Sequence, residues 1–305
     1  MDRISTSMLF DRGISGMLDQ QVKLSKTELQ LATGKRILSP KDDPAAAAYL
    51  LDLRSTISQV EQYQSNSDRA KARLELEETT LKGVGDLMPR ILELAIQGQN
   101  DTNTAADRNA IAMELRQLND EILALANTKD SNGEYIFAGF DADSPPFSNP
   151  VEGIYAYSGD MGSRQLQISA TRLVQDRDNG FDVFMNAEIA TGAIPGEKRN
   201  IFETIHQVIT GLEANAPDSA YLDDIHLAQQ HVLDYRVSSG ARLNTLDQQS
   251  NVNEDFLLSM KTAQSEVEDL DYAEAVSRFQ QQLLALQAAQ QSFSKVQGLS
   301  LFNYL

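Results

Sequence analysis

Apolar residues recur through most of this chain at intervals of three and four, the period of an amphipathic helix, and only the middle breaks the rhythm. Near the N-terminus, Ile4, Met8, Leu18, Val22 and Leu29 follow a near-heptad spacing. Phe10, Ile14, Met17, Leu24 and Leu31 make a second seam, offset from the first. A helix with two apolar seams must be covered on two sides. Near the C-terminus, Val276, Phe279, Leu283, Leu286 and Phe293 form one such seam. The opposite face there is rich in glutamine, including Gln280, Gln281, Gln287 and Gln290, which can hydrogen-bond across an interface without burying a charge. Both end segments therefore predict surfaces that pair with each other and then with further copies or partners.

The pattern places a first helix over Ser5–Ala32, ended by Thr33-Gly34 with Gly34 as the C′ residue. After a loop, Asp42 or Asp43 caps a second helix, with Pro44 at its first position, where a missing N–H costs nothing. Its stripe runs through Leu50, Leu53, Ile57, Val60, Leu74, Leu81 and Val84. Gly83 and Gly85 weaken it, and Pro89 predicts a break or kink before a further stretch over Arg90–Gln97. Ala105–Thr128 reads as another helix. From Glu134 to about Arg199 the period shortens, and Tyr135–Phe137, Ile154–Tyr157, Gln165–Ile168 and Phe181–Phe184 read as short strands between turn residues. Helices then resume over Ile201–Leu212, Tyr221–Thr262 and Asp271–Val296.

The fold class is thus mainly α. The N- and C-terminal halves pair as an elongated antiparallel long-helix bundle, with a small β-rich insertion at the far end. Helices of forty or more residues span ~60 Å. Three parts are expected: 1–43 with 265–305 as terminal helices, 44–131 with 200–264 as a helical bundle, and 132–199 as a β-rich outer domain.

Charge sharpens this division. Of the net −18, residues 1–44 carry +1 and residues 265–305 carry −3, which leaves −16 in the middle. An acidic middle excludes a nucleic-acid footprint. Near-neutral ends suit packing against other helices. Cysteine is absent, so no disulfide, thiolate nucleophile or cysteine-based metal site can form. No secretory signal pattern and no apolar run long enough for a membrane span is legible.

Candidate chemistry is sparse. His226 and His231 lie five apart, on different helix faces, and with His206 read as surface or packing residues. No phosphate loop, dinucleotide fingerprint or nucleophile elbow occurs. Asp176-Arg177-Asp178-Asn179-Gly180 has calcium-loop composition, but its glycine comes one position early and the twelfth-position glutamate is missing, so it reads as a hairpin turn. Asp42-Asp43 reads as helix capping rather than paired catalytic carboxylates. Asn100-Asp101-Thr102 matches a glycosylation acceptor pattern, which chance supplies often. No catalytic residue, cofactor or metal site is expected.

Two stretches carry a resemblance. Thr33-Gly34-Lys35-Arg36-Ile37 followed by Pro40-Lys41-Asp42-Asp43-Pro44-Ala45-Ala46 resembles the motif after the first helix of the bacterial flagellin superfamily. The opening Arg3-Ile4-Ser5-Thr6, the segment Asn132–Gly139, and the ending Leu299–Leu305 are similar to its hook–filament junction branch rather than to filament flagellins. That resemblance implies a non-enzymatic subunit in a ring of about eleven copies between another junction protein and the flagellin filament. It implies export through the flagellar type III apparatus, and a cytoplasmic export chaperone bound at Phe279, Leu283 and Leu286. It also implies that Gly34, Arg36, Asp42, Asp43 and Pro44 belong to a spoke between inner tube and outer domains. A filament flagellin, or a coiled-coil adaptor of a type III system, are the alternatives.

Overall fold

The computed structural model describes residues 6–194 and 196–298, and the fold is mainly α, built on long helices. In order these are α1 (Thr6–Thr33), α2 (Pro44–Gly98), α3 (Ala105–Ala126), α4 (Ile201–Glu213), α5 (Ala220–Glu268) and α6 (Tyr272–Gly298). Between α3 and α4 lie three two-stranded antiparallel hairpins: β1 (Phe147–Val151) with β2 (Ile154–Tyr157), β3 (Gln165–Gln167) with β4 (Leu173–Gln175), and β5 (Ala187–Glu188) with β6 (Lys198–Arg199).

Local chemistry sets the boundaries. Thr104 and Asp107 form a reciprocal capping box at the start of α3. Asn200 caps α4 through the N–H of Glu203. Asp271 caps α6, its Oδ1 accepting from the N–H groups of Ala273 and Glu274.

The expected break at Pro89 does not occur, because α2 is continuous across it. Pro89 is exposed, and the carbonyl deprived of its donor is that of the half-buried Gly85. On the other face Leu81, Val84, Met88, Ile91 and Leu94 are fully buried and keep the helix continuous through the defect.

Two expected strands are also absent. Tyr135–Phe137 is a turn region with one bridge from Tyr135 to Lys129, and Phe181–Met185 is a π-helical turn. Both carry dense aromatic burial, which a period-2 reading mistakes for a strand. Phe137, Phe147, Phe184 and Phe202 form a cluster with ring centroids 5.1 to 5.8 Å apart.

The chain divides into two compact units. One comprises residues 1–59 with 256–305, the other residues 60–255. The hairpin region shares a core with Ile122 of α3, Ile205 of α4 and Val232 of α5, so it has no separate interior. In this unit the 60–98 stretch of α2 runs antiparallel to α5, tied by Gln64–Ser250, Lys71–Asp247 and Glu78–Arg236.

The Asp176–Gly180 segment is not a hairpin turn. Asp176 and Asp178 are buried and bind Arg73, Arg164 and Arg242, placing the segment in an ionic network beneath β4. Glu77 on α2 is buried in the same network.

Candidate assembly surface

The unit containing both termini is organised by the connector from α1 to α2. Gly34 takes φ +70°, its N–H bonding the Gln30 carbonyl at 2.8 Å. A Cβ there would sit 2.9 Å from the Tyr272 hydroxyl, so close approach and backbone conformation both favour glycine. The Leu270 N–H donates to the Gly34 carbonyl, and the Arg36 N–H to the Glu268 carbonyl. The Arg36 guanidinium also donates to the Val267 carbonyl at 2.9 Å, covering an orphan acceptor at the end of α5.

The two aspartates divide the labour. Asp43 caps α2, accepting from the Ala46 N–H at 3.0 Å. Asp42 instead folds the loop: it accepts from Lys26 at 2.5 Å and from the N–H groups of Leu38 and Ser39 at 3.1 Å. The Lys26 hydrogen bond, then the backbone ones, hold its carboxyl below the usual range. Pro44 is the first residue of α2.

Glu268 is the pivot. Its buried side chain accepts from Lys35 at 2.5 Å, Arg54 at 2.7 Å and Gln264 at 2.7 Å. Burial works against the charge, yet these three donors hold its pKa down to about 2. Lys26, Arg54 and Glu268 were not singled out by sequence, and Lys35 only as part of the connector motif. Arg54 and Glu268 lie 214 positions apart, and no local periodicity connects them.

α1 and α6 pack on each other. Gly13 faces Phe293 and Gly34 faces Tyr272, which makes the pair antiparallel. The pairing buries only part of the second α1 seam, since Ile14 stays exposed with the first. Met17, Leu24 and Leu31 of α1 are half-buried, with Thr27 and Gln30 buried, and so are Phe279, Leu286 and Phe293 of α6. Met8, Ile14, Leu18, Val22 and Leu29 remain exposed, Val22 at 68% and Leu18 at 55%. Val276 and Leu283 are exposed too, so the C-terminal seam is split between an inner and an outer face. Ile4 and the side chain of Phe10 lie outside the described residues. The inner seam is polar in places: Arg278 Nε and Gln282 Oε1 are buried without a hydrogen-bond partner.

Between α1, the connector and α2 runs an open groove of about 770 Å³. Leu29, Ile37, Leu38, Pro40 and Leu51 supply its apolar wall, and Lys35 and Arg54 its charged edge.

Residues 4–142 match the helical N-terminal region of bacterial flagellin. The chain is 30% identical to flagellar hook-associated protein 3 of Escherichia coli K12 and to that of Salmonella typhimurium LT2, in each case over 99% of both chains. The chain belongs to the hook-associated protein 3 family. The crystal structure of the Legionella pneumophila family member superposes with TM-score 0.64 at 22% identity, covering 70% of this chain and 98% of that one. The Clostridium tyrobutyricum and Bacillus subtilis flagellins align over 45% and 86% of this chain, so the hook-associated family accounts for more of it than filament flagellin does.

Family membership makes the protein a component of the bacterial flagellum. Among the described residues, no cluster of three or more His, Asp or Glu could hold a metal ion, and no helix is long and apolar enough to cross a membrane. The histidines make local hydrogen bonds: His231 Nε2 lies 2.8 Å from the Asp182 carbonyl, the exposed His226 pairs with Gln230, and His206 with Thr210.

Proposed function

We propose that this protein is a structural subunit of the junction between flagellar hook and filament, and that the outer face of its α1–α6 pair is completed by neighbouring subunits. One observation carries this reading. α1 covers Met17, Leu24 and Leu31 of its second seam with α6 and leaves Met8, Leu18, Val22 and Leu29 of the first, together with Ile14 of the second, in water. Each such side chain gains roughly 1.5–3 kcal/mol when fully buried. A row of five on one helix is a strong incentive to associate and a poor surface for a lone molecule.

The same reading gives a ring of about eleven copies, a closed heterologous assembly. Its neighbours are the other junction protein and flagellin, and its subunits leave the cell through the flagellar type III apparatus. An export chaperone takes the α6 helix. Leu283 is open to such a partner, whereas Phe279 and Leu286 face α1, so engaging all three requires α1 to move aside. The connector from Gly34 to Pro44 acts as the spoke, braced by Glu268.

The test is Val22→Asp together with Leu18→Asp. Both positions are exposed, so monomer stability changes by no more than about 0.5 kcal/mol each. Incorporation into junctions, scored by filament attachment in a strain lacking the native gene, is lost. Normal attachment by the double variant refutes the outer-face assignment.

A further inference from the structure

The groove between α1, the connector and α2 has an imbalance of charge. Its two edge cations, Lys35 and Arg54, share a single carboxylate, Glu268. One positive charge is therefore uncompensated beside exposed apolar surface, with Leu51 at 68% and Leu29 at 53%. A partner that fits must bring an apolar ridge flanked by carboxylates.

The chain itself carries such a ridge. Residues 266–274 hold five acids and no base. At the start of α6, Tyr272 and Val276 are one helical turn apart and both exposed, with the exposed Glu274 and Asp271 on the flank. The parent molecule does not bury them. The groove's cations already hold one carboxylate from this same acidic stretch, so the recognition chemistry is present within the monomer.

We infer that the groove lined by Leu29, Leu51, Lys35 and Arg54 receives the first turns of α6 from a second copy of the chain, Val276 entering the apolar wall and Glu274 meeting the charged edge. The inference rests on the self-assembly reading above and specifies one contact in it. The two patches differ, so the contact can pass from copy to copy, and the ring of the assembly reading takes that arrangement in place of a two-fold dimer with reciprocal contacts. Opposite charge on the two patches also sets their order and disfavours groove-to-groove pairing.

The absence of cysteine makes the test direct. Leu51→Cys and Val276→Cys are made separately in the full-length chain, mixed, driven to assemble with ammonium sulfate and oxidised. The mixture is expected to give a cross-linked dimer that neither variant gives alone and that dilute monomer does not give. Leu51→Asp is expected to raise the concentration needed for assembly by about tenfold. Assembly by sedimentation without the mixed cross-link overturns this contact and leaves the outer-face reading intact. Cross-linking of Leu51→Cys to itself overturns the head-to-tail arrangement. Failure of the native chain to assemble removes both the contact and the reading beneath it.

Discussion

Replacing Glu77 by glutamine should remove a pH dependence that the native chain carries in its larger unit. The Glu77 side chain is buried, with Oε2 accepting from the Asp178 N–H at 2.9 Å. Oε1 has no hydrogen-bond partner and lies 3.6 Å from Arg242, whose guanidinium is bound to Asp178. Burial first, and then the neighbouring Asp178 charge, push the Glu77 pKa up from 4.5 to about 8. The folded-state pKa is raised, so the stability tied to protonated Glu77 is fully present below pH 4.5 and declines as the pH rises. It is lost once the pH passes about 8. A shift from 4.5 to about 8, at about 1.36 kcal/mol per pH unit, is roughly 5 kcal/mol across the window. Glutamine keeps the acceptor for the Asp178 N–H, offers Asp178 an N–H donor and never ionises. Urea unfolding followed by tyrosine near-UV dichroism should give similar stabilities for both proteins at pH 5. At pH 9 the variant should be the more stable by several kcal/mol. A difference between the two that stays constant from pH 5 to pH 9, or a variant weaker at pH 9, refutes the assignment of a buried neutral acid.

Glu268 has the opposite sign. Its folded pKa of about 2 against 4.5 means that its contribution is present above pH 4.5 and is lost as the pH falls through about 2. Solvent screening of the half-exposed Lys35 and Arg54 keeps this below the roughly 3 kcal/mol of the full shift. Glu268→Gln should speed amide exchange at Arg36 and Leu270 and flatten its acid dependence. Gly139→Ala should cost more than 2 kcal/mol, because φ is +68° and the new Cβ would meet the Asp160 carbonyl oxygen. Gly133→Ala, at φ +86° in open space, should cost only about 1 kcal/mol, and equal losses in thermal unfolding would contradict the contact. Pro89→Ala should stabilise by up to about 3 kcal/mol by restoring a helical N–H at an exposed site; a loss of stability would mean the carbonyl left by Pro89 has another donor.

The helices were legible because each is a repetitive local pattern with its own stop signals. The Gly34 C′ residue and the Asp43 cap with Pro44 at the first position of α2 depend only on neighbours a few positions away. Pro89 was misleading for a related reason: a local rule gives the cost of a defect but not the buried stripe from Leu81 to Leu94 that offsets it. The middle was less legible, because Phe137 and Phe184 owe their burial to each other and to Phe202 rather than to any strand period.

By itself the sequence determined that the chain is helical at both ends, carries more apolar seams than one helix partner can cover, and holds its acidity in the middle. It also supplied the connector motif that ties the chain to its superfamily. Only the tertiary structure decided which seam faces inward, since that depends on the register of α1 against α6, set by Gly13 meeting Phe293 and Gly34 meeting Tyr272. It alone brought Lys35 and Arg54 to Glu268 and left one cation over at the groove. Periodicity is a property of neighbours along the chain, whereas a seam's partner and a charge's neutralisation are settled between residues hundreds of positions apart.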